Sequence, residues 1–162
     1  IKNENLKPGR KTIMNFQVNF KTRWSDFDAN RHLRHTAYND YAAEVRVRYF
    51  KAQGFTVADF AKDNLGPILF KEETTFFKEV HMGSDVSINL QLMAVSEKTA
   101  RWKLRHHFFN EKGELAAEII VSGAWIDLVK RKLANPTPKF YNLFSSLEKT
   151  DDYEDIVLKK NS

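Results

Sequence analysis

The chain has 162 residues, a formal net charge of +5 and no cysteine. That length suits one domain with a real core, and the missing thiols exclude disulfides, thiolate metal sites and a cysteine nucleophile. No apolar run approaches the ~20 residues of a membrane span, and no signal-peptide pattern opens the chain, so a soluble cytoplasmic protein with no membrane partner is expected.

Residues 1–12 are polar and expected to be loosely held. From Phe16, side chains alternate: Phe16, Val18, Phe20, Thr22 and Trp24 face one way and Gln17, Asn19, Lys21 and Arg23 the other, which predicts a half-buried strand. Asp28, Asn30 and His32 then fall at two-residue spacing in a loop. Tyr38, Tyr41, Ala42, Val45, Tyr49 and Ala52 follow at helical spacing, with Thr36 as the expected N-cap and Gly54 as the stop. Ala37, Ala43, Val47 and Phe50 make this helix apolar over much of its circumference, so it is expected to be enclosed.

The second half reads as sheet. A Gly66-Pro67 break precedes a strand over Leu69 to Val80, and Met82-Gly83-Ser84-Asp85 turns the chain. Val86, Ile88, Leu90, Leu92 and Ala94 alternate as one strand, and Ser96-Glu97-Lys98 turns again. Ala100, Trp102, Leu104, His106 and Phe108 form the next strand, and Asn110-Glu111-Lys112-Gly113 a hairpin turn. Leu115 to Val129 is the last long strand; Pro136 and Pro138 end the sheet, and Phe140, Tyr141, Phe144 and Leu147 predict a short packing helix. The acidic tail from Glu148 is expected to fray. One domain over residues 13–147 therefore combines a buried helix with antiparallel strands: an α+β fold, the sheet wrapped around the helix. Its edges and uncovered face predict self-association.

The strand-to-helix loop is the candidate site. A carboxylate, an amide and an imidazole at Asp28, Asn30 and His32 are poor core material, and such loops are where a scaffold presents chemistry. The helix start adds backbone N–H groups, near His35 to Ala37, able to hold an oxyanion. Together they point to hydrolysis through an oxyanion. Asp26 reads as fixing the loop, and Glu44 as pairing with Arg48 one turn on. His32 with His35, and His106 with His107, raise the question of a metal; neither pair brings a third ligand at recognisable spacing, so no metal is expected. No Gly-x-Ser-x-Gly elbow or glycine-rich phosphate loop occurs. The Arg101, Lys103, Arg105 row and the Lys130-Arg131-Lys132 run read as solvated faces. The net positive charge favours anionic partners, such as a nucleotide-bearing cofactor or an acidic carrier protein; without a binding motif it does not argue for nucleic acid.

The stretch Trp24-Ser25-Asp26-Phe27-Asp28-Ala29-Asn30-Arg31-His32, followed by Tyr38 and Glu44, resembles the hotdog-fold thioesterases, which include 4-hydroxybenzoyl-CoA thioesterase and the acyl-ACP thioesterases. It is similar to the family pattern Asp-x-Asp-x-x-Gly-His-Val-Asn-Asn. Phe77-Lys78-Glu79-Val80, with Gly83 and Asp85 beyond, resembles the strand end where acyl-ACP thioesterases carry a further glutamate. The resemblance covers Phe16 to about Lys132. It implies a hotdog fold, a homodimer or homotetramer, and acyl-CoA or acyl-ACP thioesters as substrates without a further cofactor. It makes Asp28 the catalytic carboxylate, Asn30 and His32 its neighbours in positioning water or the thioester, and Glu79 a second acid. Arg31, His35, Thr36 and Tyr38 fall at the substrate. Arg31 stands where the family has glycine, and Arg34 and His35 where it often has two asparagines. A hotdog hydratase or dehydratase is the alternative, but it usually carries one more residue, often after a proline, before the histidine. A non-catalytic acyl-thioester binder is the other, against which the intact Asp28, Asn30 and His32 speak.

Overall fold

Helical spacing is realised in α1 (His35–Ala52), which buries Tyr38, Tyr41, Ala42, Val45 and Tyr49 against a sheet. The computed structural model describes residues 15–159, so the expectation for residues 1–12 lies outside the described residues. The strands are β1 (Gln17–Phe20), β2 (Leu65–Phe76), β3 (Val86–Asn89), β4 (Gln91–Ser96), β5 (Arg101–Phe109), β6 (Leu115–Asp127), β7 (Lys132–Ala134) and β8 (Lys149–Ile156). Among the described residues they form one eight-stranded sheet. β6 lies between β2 and β5; β5 carries β3 and β4 end to end on its other side; β1 flanks β3, and β8 flanks β4. All these pairs are antiparallel except β4 with β8.

Several expectations are corrected. The first strand stops at Phe20; Trp24 stands in a 3₁₀ turn (Trp24–Asp26) and is exposed rather than inward. Helix α1 begins at His35, not after Thr36, because Leu33 N–H bonds Val80 O (2.9 Å) and Arg34 N–H bonds Asp26 O (2.8 Å), holding both residues extended. The helix is not enclosed: Ala43, Glu44, Val47 and Arg48 face outward, and Glu44 and Arg48 make the expected pair at 2.8 Å. Gly66 and Pro67 lie inside β2 rather than before it. Among the described residues β2 pairs only with β6, so the N–H that proline lacks falls on an edge strand. The stretch read as one strand from Val86 breaks at Leu90, and a bulge at Met93 lets Leu92, Met93 and Ala94 all be buried. The packing helix is only a 3₁₀ turn (Pro138–Phe140) followed by turns, yet Phe140, Phe144 and Leu147 are buried as their pattern requires.

The largest correction is the acidic tail. Residues 149–156 do not fray but form β8 beside β4. Thr150 is buried and Tyr153 packs on the core, while Asp151, Asp152, Glu154 and Asp155 face out. Charge on such an outer strand blocks further pairing. Helix α2 (Val57–Lys62) is not among the expected elements; Thr56 and Asp59 form its capping box.

Beneath α1, Arg46 Nη1 donates to His106 Nε2 at 3.0 Å, and His106 Nδ1–H donates to the Asn89 carbonyl, also at 3.0 Å. Burial, then the neighbouring Arg46 charge, push the His106 pKa down to about 3, so it is neutral. Close packing also dictates Gly123: a Cβ there would stand 2.3 Å from Ile68 O and 2.4 Å from the Trp102 ring.

Candidate active site

The site is built on an anchored loop. Asp26 is fully buried and receives Arg23 N–H (2.7 Å), Arg23 Nη2 (2.9 Å) and the Tyr41 hydroxyl (2.5 Å). Burial alone would raise its pKa, but the Tyr41 and Arg23 hydrogen bonds outweigh it and hold the carboxyl below the ordinary carboxylate range. Asp26 thus ties the loop to α1, as its sequence position suggested; Tyr41 is the partner the sequence did not disclose.

Two residues on, Asp28 makes a tight turn. Its Oδ1 accepts Asn30 N–H (2.8 Å) and His32 N–H (3.2 Å), while its backbone N–H bonds His32 O at 2.9 Å. A carboxylate has about four acceptor positions, so the second oxygen keeps capacity for a water or substrate. Arg31 closes the turn with φ of 62°. That left-handed conformation is the one glycine adopts freely, so arginine here holds the loop under local strain.

The chain then pairs with a distant segment. Leu33 N–H bonds Val80 O, Met82 N–H bonds Arg31 O, both at 2.9 Å, and His32 and His81 face each other in a β-bridge. This pairing brings Glu79 to the loop: His32 Nε2 is 3.1 Å from Glu79 Oε2. Asp28, His32, Leu33, His35, Tyr38, Phe76, Phe77, Lys78 and Glu79 line a cleft of about 360 Å³. Tyr38 forms its buried wall, edge-on to Phe76 at 5.1 Å. Burial, and secondarily the Glu79 charge, raise the Tyr38 pKa to about 12, so its phenol stays protonated.

Of the candidate residues, Asp28, His32, Glu79, His35 and Tyr38 meet in this cleft. Asn30, Arg31 and Thr36 lie outside its lining: Asn30 and Arg31 shape the turn, and the Thr36 hydroxyl accepts Arg34 Nη1 at 2.5 Å. Among the expected oxyanion donors, Ala37 N–H is spent on Arg34 O at 2.9 Å, which leaves those of His35 and Thr36 ahead of the intrahelical ladder. The two histidine pairs separate: His106 is buried with Arg46, and His107 Nε2 meets Glu118 at 2.8 Å. His32 instead joins Glu79 and His81, a residue that sequence spacing had not singled out.

Residues 22–144 match the family model of the thioesterase-like superfamily. The chain belongs to that superfamily. It is thus an acyl thioester hydrolase by family, and its curled sheet over one long helix is the hotdog fold. A search of curated proteins finds no match. Among solved structures it is similar to a hypothetical protein of Staphylococcus aureus solved in complex with CoA, at 17% identity and a TM-score of 0.77, covering 95% of this chain and 94% of that one. It is also similar to a DHNA-CoA thioesterase of S. aureus (20%, TM-score 0.74, 81% and 89% covered). A 1,4-dihydroxy-2-naphthoyl-CoA thioesterase from Synechocystis aligns at 18% identity, TM-score 0.72, over 83% and 98%.

Proposed function

We propose that this protein hydrolyses acyl-CoA thioesters in the cleft at the start of α1. The carrying observation is that Asp28, His32 and Glu79, from two distant segments, line one cleft beside the first N–H groups of the helix. Asp28, aimed by the two N–H groups on Oδ1, takes a proton from water as the water oxygen attacks the thioester carbonyl carbon. The His35 N–H, at the cleft lining, stabilises the oxyanion, one such donor being worth about 3 kcal/mol in the transition state. The intermediate then expels the thiolate, Asp28 gives its proton back to the thiolate through solvent, and the free acid leaves. Glu79, held by His32, is the second acid of the site and accepts a hydrogen bond from the attacking water beside Asp28, and the Tyr38–Phe76 wall receives the start of the acyl group. The CoA-related structural relatives support CoA as the carrier; an acyl carrier protein thioester, which the basic balance of the chain suits equally, is the comparison substrate.

Glu79→Gln keeps the shape and removes the basicity, so turnover should fall at least about 10²-fold. Turnover within a few-fold of wild type would take Glu79 out of the reaction and leave Asp28 alone. The protein is further proposed to be a homodimer, since Leu69, Phe70 and Val47 are exposed along edge strand β2 and the outer face of α1. A stable monomer at micromolar concentration in sedimentation would contradict this.

A further inference from the structure

Side chains that alternate along an extended segment share a face, so Glu79 and His81 point the same way. His32 faces His81 across the bridge and adds a third ligand to that face. One ligand atom from each of the three residues lies within 4.8 Å of the others, and His32 Nε2 to Glu79 Oε2 is already 3.1 Å. Tetrahedral ligands at about 2.0–2.2 Å from an ion stand about 3.3 Å apart. Closing the set therefore needs only side-chain adjustment. The backbone beneath is fixed by the two 2.9 Å hydrogen bonds between residues 31–33 and 80–82, with Leu33 and Val80 buried. His32–His81 ring centroids stand 5.5 Å apart at 60°, an edge-on approach rather than a stack.

We infer that His32, Glu79 and His81 form a binding site for one divalent transition-metal ion of the zinc type, and that the bound ion inhibits hydrolysis. Two imidazoles and a carboxylate suit borderline ions such as Zn²⁺, whereas Mg²⁺ prefers an all-oxygen octahedron. Three protein ligands leave a fourth position for solvent. The inhibitory part rests on the proposed reaction, because the ion takes Glu79 and His32 from it; the binding part does not. His81 is exposed and lies outside the cleft lining, so it serves the metal without serving hydrolysis.

The test is calorimetric titration of Zn²⁺ into untagged, chelator-stripped protein, with His81→Ala and a Mg²⁺ control. Wild type should bind one equivalent of Zn²⁺ and no Mg²⁺. His81→Ala should bind at least ~10-fold more weakly, the loss expected from removing even an outer partner of a metal ligand. In parallel, acyl-CoA cleavage is followed by loss of thioester absorbance, since a free thiol would itself bind zinc. Zn²⁺ should inhibit wild type reversibly by chelator, and His81→Ala, with unchanged basal turnover, should need at least ~10-fold more. No saturable binding, or equal affinity in the variant, overturns the site; saturable binding with undiminished turnover overturns the inhibition. Absence of any zinc-free turnover counts against the proposed reaction, and the calorimetry alone then decides the site.

Discussion

Asp28 holds its turn and, in the proposed reaction, also activates water, and the two jobs can be separated. Its Oδ1 caps the turn by accepting Asn30 and His32 N–H at 2.8 and 3.2 Å, and its carboxylate charge is what the proposed reaction uses to activate water. Asp28→Asn keeps an acceptor oxygen and caps about as well as aspartate, so stability should hardly change. Asp28→Ala removes the cap and should cost about 1 kcal/mol, which a domain stable by roughly 5–15 kcal/mol survives folded. Turnover tells the jobs apart. Both variants should lose at least about 10²-fold, or some 2.7 kcal/mol of transition-state stabilisation. Denaturant unfolding gives the first quantity and steady-state acyl-CoA hydrolysis the second. If Asp28→Asn turned over normally while Asp28→Ala fell only in step with stability, Asp28 would be a turn residue and the assignment would fail.

Arg31→Gly should relieve the left-handed φ of 62° and stabilise the fold by about 1 kcal/mol, read as a rise in denaturation midpoint; an unchanged or lower midpoint would show no strain there. The buried His106 sets an acid limit. With its pKa near 3 in the fold against 6.5 unfolded, only the unfolded chain binds the proton between those values. Its contribution is therefore complete above about pH 6.5 and lost as pH falls towards 3. Unfolding free energy should drop by about 2 kcal/mol between pH 7 and pH 5; a flat profile over that range would contradict the buried neutral histidine.

The elements that follow one period were legible in the sequence. The core face of α1, the alternation of β5 around Trp102, Leu104, His106 and Phe108, and the hairpin at Asn110 each needed only local pattern. Where the period breaks, local pattern no longer specifies the element. Met93 in a bulge flips the alternation of β4, and β8 has no two-residue rhythm because Thr150 and Tyr153 carry its inward contacts amid four acids. Pro67 looked like a breaker because the sequence does not say which strand is an edge. At the site, Asp28, Asn30 and His32 stood out from their spacing, but their division of labour did not. That Asn30 would supply the turn with a backbone N–H, and that Asp26 would find Tyr41, depend on a folded loop. His81 had no local signal at all: it meets His32 only through the pairing of residues 31–33 with 80–82.

The most direct test of the central claim is cleavage of a panel of acyl-CoA thioesters by the wild-type protein with a chelator present throughout, with the matching acyl carrier protein thioesters alongside. Metal-free hydrolysis at the Asp28–Glu79 cleft predicts steady release of CoA from at least one acyl-CoA, undiminished by the chelator. No release from any acyl-CoA, or release that vanishes with chelator and returns only when a divalent ion is restored, would contradict it.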